Sequence, residues 1–104
     1  MTEKEVAVAT FVVLINWTEQ GVKGYKDSAS RADAARQAFQ GLGVSLEEIW
    51  WTLGPYDIVS VIEAPDDETM TAAMLQLSSA GNIRTTTMRA FSRDEFSSLV
   101  GKTG

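Results

Sequence analysis

The sequence predicts an α+β domain: a four-stranded antiparallel sheet built in the order βαββαβ, two helices on one face, and a short extra helix at the C-terminal end. Three observations lead there. Runs rich in β-branched and aromatic residues, "TFVVLINW" at Thr10 to Trp17 among them, alternate with stretches whose apolar residues recur three and four apart. Between the second and third such runs stand Gly54 and Pro55, which make a tight turn and therefore a hairpin. The 104 residues, 44% of them hydrophobic, have the size of one domain with one core, so 1–104 is read as a single unit.

Strand one runs from Thr10 to Trp17, and Thr18 in "NWTEQG" starts a helix. Gly21 and Gly24 weaken that helix, so it resumes as a second piece capped by Ser28 or Ser30. In this piece Ala32, Ala35, Phe39 and Leu42 form an apolar side, with Arg31, Asp33, Arg36 and Gln40 turned away. "GLG" at Gly41 to Gly43 stops it, and Val44 to Leu53 forms strand two. After the Gly54–Pro55 turn, strand three spans Tyr56 to Glu63. Asp66 caps the next helix, with Asp67 and Glu68 at the positive end of its dipole and Met70, Ala73, Met74 and Leu77 at core spacing. Gly81 and Asn82 close it, Ile83 to Phe91 forms strand four, and "SRDE" at Ser92 to Glu95 is a capping box that opens the terminal helix. The final "GKTG" frays. Right-handed crossovers place both main helices on one face, with strands one and three central and parallel to each other, which is the ferredoxin-like arrangement.

Two helices cover one face only, yet both faces of this sheet are apolar. Phe11, Val13, Ile15 and Trp17 alternate with Val12, Leu14 and Asn16, and Ile58 and Ile62 with Val59 and Val61. Strand two offers Leu46 and Trp50 on one side against Ile49, Trp51 and Leu53 on the other. A bare face of about 400 Å² is near the largest apolar patch an ordinary monomer exposes. A second copy related by a twofold axis is the expected cover; the competing expectation is that the C-terminal helix folds back over it.

Composition excludes several functions. The chain has no histidine and no cysteine, which removes the usual general base near neutral pH, the commonest metal ligands and thiol chemistry, so no metal and no cofactor is expected. The net charge of −5 opposes polyanions. Lys23, Lys26, Arg31 and Arg36 share a segment, but Asp27 and Asp33 are interleaved with them, a solvated face more than a nucleic-acid footprint. The longest apolar run, Val6 to Ile15, is about half the length needed to span a bilayer, and Glu3 and Glu5 beside Lys4 deny it the basic start of a signal peptide. A cytoplasmic protein without membrane or nucleic-acid partners is the expectation.

Four segments together, "VLINWTEQGVKGYKDS", "GPYD", "EAPDDET" and "GNIRTTTMRAF", resemble the GYD domain family, named for a glycine, tyrosine and aspartate that stand here as Gly54, Tyr56 and Asp57. The likeness runs from Phe11 to about Leu99; one departure is Pro55, where the family pattern often has glutamine. It implies a ferredoxin-like fold related to the dimeric α/β barrels and a biochemical role without a defined reaction. Relatives of that wider fold include cofactor-independent monooxygenases, isomerases and amino-acid-sensing domains, and fold analogy does not choose among them.

The expected topology gathers Trp51, Tyr56, Asp57 and Arg89 at one end of the sheet, where Asp57 near a tyrosine acts as base or orients a ligand and Arg89 holds an anionic group. The structural alternative has Asp57 accepting backbone N–H groups in its turn. At the other end the same topology assembles Asn16, Trp17, Glu63 and Arg84 as the polar rim of a small-molecule cleft, or simply a Glu63–Arg84 ion pair. Glu47 and Glu48 are expected on opposite faces, unable to act as a pair. The function expected first is a homo-oligomeric module that binds or senses a small metabolite. The alternative is a cofactor-independent enzyme of the dimeric barrel kind using Asp57 or Tyr56 with an arginine.

Overall fold

The computed structural model describes residues 8–104, so Glu3, Lys4, Glu5 and the start of the Val6 run lie outside the described residues. The chain forms β1 (Ala9–Trp17), α1 (Glu19–Lys23), a 3-10 turn (Tyr25–Asp27), α2 (Ser28–Gln40), β2 (Ser45–Trp51), β3 (Ile58–Ala64), α3 (Asp67–Ser78), β4 (Ile83–Ala90) and α4 (Arg93–Gly101). Three helix starts are set by the residues that cap them. Thr18 accepts the Gly21 N–H, Asp66 accepts the Thr69 N–H at 2.7 Å, and Ser92 and Glu95 form a reciprocal box. The Thr69 backbone hydrogen bond, followed by that of its side chain, holds the Asp66 carboxyl below its ordinary value. The α2 start differs from expectation: Asp27 stands at the cap position without a side-chain cap bond, and Ser28 is the first helical residue. Ser28 is buried, and its hydroxyl accepts the Trp51 indole N–H at 2.9 Å, so packing against the sheet took the side chain that would have capped the helix.

The strands lie in the order β2-β3-β1-β4, every neighbouring pair antiparallel. β1 and β3 are central, as expected, but they run antiparallel and not parallel. Each right-handed crossover skips one position, so β1 and β2 form a parallel pair and β3 fills the gap between them in the opposite sense. Register pairs Phe11 with Ile62 and Arg89, Val13 with Ser60 and Thr87, and Ile15 with Ile58 and Thr85. These residues face the helices, where Ala9, Phe11, Val13, Ile15, Ile58, Ile62 and Ala64 meet Phe39 from α2 and Met70, Ala73 and Met74 from α3. β2 carries a bulge between Leu46 and Glu48. The extra residue, Glu47, puts Leu46 on the same side as Ile49 and Trp51, whereas strict alternation had set Leu46 beside Trp50.

The face away from the helices keeps Val12, Leu14, Val59 and Val61 half-buried, with Trp50 and Met88 exposed around them. α4 does not cover it: no α4 residue is buried, and Phe96 is 60% exposed. The molecule is accordingly elongated, 50 × 31 × 19 Å, with a radius of gyration of 15.4 Å. A compact chain of this length has about 13 Å.

α1 ties β1 to the loop before β4. The Thr18 N–H donates to the Asn82 carbonyl (3.0 Å), the Thr18 hydroxyl to Gly81 O (2.6 Å) and the Gln20 amide to Ala80 O (3.0 Å). Gly21 is required by this approach, because a Cβ there would run into the Asn82 backbone carbonyl.

Candidate functional site

The β2–β3 hairpin loop, Thr52 to Asp57, folds against the end of β1. Asp57 closes the sheet with all three of its polar groups. Its N–H donates to Ile15 O (2.8 Å), its carbonyl accepts the Thr52 N–H (2.9 Å), and its carboxylate accepts the Trp17 N–H (2.9 Å). The last bond continues the ladder past the final regular pair, Ile15–Ile58, where β3 no longer offers a carbonyl. Asn16 donates its side-chain amide to Pro55 O (2.9 Å), and the Thr52 hydroxyl donates to Tyr56 O (2.6 Å), so "GPYD" is held from β1 and from the start of its own loop. Gly54 meets its turn with φ +130°, outside the range that residues with a side chain favour.

Antiparallel pairing of β1 with β3 regroups the expected clusters. Asn16, Trp17, Trp51, Tyr56, Asp57 and Arg84 share one end, Arg84 directly opposite Asn16. Arg89 and Glu63 belong to the other, where Arg89 pairs with Phe11 and Glu63 with Thr10. Arg89 is therefore not beside Asp57; its guanidinium bonds the Thr10 and Ala90 carbonyls and lies 4.4 Å from the Phe91 ring centroid. Nor can Glu63 and Arg84 form an ion pair, since their β1 partners Thr10 and Asn16 lie six positions apart, about 20 Å of strand. Both expectations placed the start of β3 beside the start of β1, which only a parallel pair would do.

Beside the Trp17 indole, the sheet and helices border an open cleft of about 310 Å³. Its floor is the inward face of β1 and β3, its walls are α2 and the end of α3, and small residues on α2, Ala32, Ala35 and Ala38, leave the room. Arg31 stands in its wall and not out in solvent: the guanidinium bonds Gly24 O (3.0 Å) and Gly21 O (3.2 Å), fastening α2 to α1. Arg36 likewise turns to the Leu46 carbonyl. Two polar atoms of residues that line the cleft, Trp17 Nε1 and Ser60 Oγ, are buried without a hydrogen-bond partner among the described residues. Ser60 escaped attention in the sequence because it interrupts the apolar face of "IVSVI"; a lone hydroxyl between Ile58 and Ile62 was the available signal.

No group of three or more His, Cys, Asp or Glu is placed to hold a metal ion among the described residues, and no helix among them is long and apolar enough to cross a membrane. In the crystal structure of TTHA0845 from Thermus thermophilus the fold recurs with a TM-score of 0.52 and 27% identity, over 81% of this chain and 94% of that one. A Thermus thermophilus protein named glutamine synthetase and cystathionine beta-lyase binding protein is 37% identical over 82 residues, 78% of this chain and 86% of its own length. The family model of the GYD domain matches residues 11–100, nearly the whole of the described chain. The chain belongs to the GYD domain family.

Proposed function

We propose that this chain is a noncatalytic binding module that works in the cytoplasm as a homodimer of the dimeric α/β barrel kind, two sheets closing on each other through their open faces. The observation that carries this is the uncovered face itself: Val12, Leu14, Val59 and Val61 with Trp50 and Met88, left bare while α4 points elsewhere. Charge favours a second copy as the cover. Arg84 marks one corner of the face, at the β4 edge, and Glu48 and Glu63 lie towards the diagonally opposite corner. A twofold axis in the interface plane, diagonal to the strands, sets the basic corner of each copy on the acidic corner of the other. A sheet face of about 400 Å² is half of what a standard interface buries per partner, about 800 Å², so the exposed apolar residues of α4 take part as well. In light scattering at micromolar concentration the protein is expected near twice 11.3 kDa, and Leu14→Lys near 11.3 kDa. A parent protein that runs as a monomer there would end this assignment.

The similarity to a protein named for binding two enzymes supports an enzyme as the dimer's partner, engaged by the outer surface. A small-molecule role is favoured by a separate observation, the 310 Å³ cleft, which lies in the range of about 300–1,000 Å³ typical of ligand sites. Catalysis by Asp57 draws no such support, because its carboxylate is already committed to the Trp17 N–H.

A further inference from the structure

We infer that the two α4 helices of the dimer pack against each other across the twofold axis, through a stripe formed by Phe96, Leu99 and Val100. This rests on the sheet-to-sheet dimer given above and names a second contact within it. α4 is nine residues long, and helices shorter than about 12–15 residues are marginal in water unless an apolar side is packed. Its start is well specified: Ser92 and Glu95 form the reciprocal box, and Phe91 and Phe96 stand at the two positions of a hydrophobic staple. Its packing is missing. Phe96 is 60% exposed, Val100 51% and Leu99 36%, and their spacing of three and four sets all three on one side of the helix. A helix this short, with one apolar side and no residue buried by its own chain, needs a cover from elsewhere.

The placement of the axis says what that cover is. Arg84, opposite Asn16, marks the basic corner of the open face, on β4 where β1 finishes. Glu48 and Glu63 mark the acidic corner, on β2 and β3 towards the start of β1. A twofold that exchanges these two corners runs along the other diagonal of the sheet, and so passes through the corner where β4 ends beside Thr10. α4 leaves the sheet at that corner, with only Phe91 and Ser92 between Ala90 and the helix. The link is fastened to the sheet, since the Arg89 guanidinium lies 4.4 Å from the Phe91 ring centroid and 5.7 Å from that of Phe11 on β1. An element rooted on a twofold axis meets its own copy, so α4 of one protomer emerges beside α4 of its partner. Area agrees: a sheet face of about 400 Å² falls short of the roughly 800 Å² that a standard interface buries per partner, and the α4 stripe is apolar surface at the edge of that face.

The chain has no cysteine, so a single introduced one reports on its own neighbourhood. Leu99→Cys, on the stripe, is expected to form a disulfide between copies under mild oxidation and to run near twice 11.3 kDa without reductant. Ser98→Cys, on the opposite side of α4, is expected to stay near 11.3 kDa. Phe96→Glu together with Leu99→Glu is expected to raise the dimer dissociation constant, measured by sedimentation, about a hundredfold, because unpaired charges are costly to bury. The near-ultraviolet circular dichroism of that variant should keep the tertiary signature of the parent, since both side chains are exposed in a single copy. A dimeric parent whose Leu99→Cys form does not link, or whose association is unmoved by the two glutamates, would overturn the helix pair and leave the sheet dimer standing. Equal linking of the two cysteine variants would overturn it as well. So would a disulfide closed within one chain carrying Met88→Cys and Leu99→Cys, which would show α4 folded over its own sheet. A monomeric parent would end both readings.

Discussion

Replacing Asp57 by alanine tests whether this residue closes the sheet or is free for chemistry. The carboxylate accepts the half-buried Trp17 N–H at 2.9 Å, and its loss leaves that donor with no acceptor from β3, which has ended. A hydrogen bond to a charged group contributes about 1.5–3 kcal/mol, so Asp57→Ala is expected to cost about 2 kcal/mol. For a domain near 100 residues each kcal/mol moves the melting temperature by about 4–8 °C, which predicts a fall of about 8–16 °C. Asp57→Asn keeps an acceptor oxygen but not the charge and should lose about half as much. Asn16→Ala removes the neighbouring bond to Pro55 O, and the pair should couple, because both bonds hold the same six-residue loop. Thermal and urea denaturation of the parent, the three single variants and the Asp57→Ala, Asn16→Ala double variant measure all of this. If Asp57→Ala melted with the parent, the Trp17 bond would contribute nothing, and Asp57 would return as a residue available to a ligand.

Gly21→Ala should be strongly destabilising, by about 1–3 kcal/mol or more, since the new methyl meets the Asn82 carbonyl; a variant as stable in urea as the parent would show that α1 does not seat on that loop. Asp66 makes a pH prediction. Its carboxyl is lowered from 3.8 by the Thr69 N–H, so the stability it contributes is complete above the unfolded value and is lost as pH falls through the lowered one. Asp66→Asn, which still caps but does not titrate, should flatten that part of the acid-unfolding curve, and superimposable curves would contradict the assignment.

Much of the fold was legible because the signals were local. Thr18, Asp66 and Ser92 mark helix starts through their own side chains, and the alternation in "TFVVLINW" fixes which residues of β1 reach the core. What failed was non-local. Nothing within β1 or β3 states their relative direction, and one misplaced sense moved Arg89 and Glu63 to the wrong ends. The bulge at Glu47 is invisible to a period-two pattern because it is a departure from it. Arg31 and Arg36 looked solvated by type, yet bare carbonyls of α1 and β2 drew their guanidinium groups inward. Of the candidate site, the link between "INW" and "GPYD" rested on the same long-range pairing, and the cleft needed three elements in place before it existed.

The surplus residue in β2 also bears on how growth of the sheet is halted. β2 is an outer strand, and a neighbouring molecule seeking to extend the sheet there would meet a kinked backbone with Glu47 and Glu48 projecting from it. Rim-to-rim stacking into fibrils is thus discouraged at that margin.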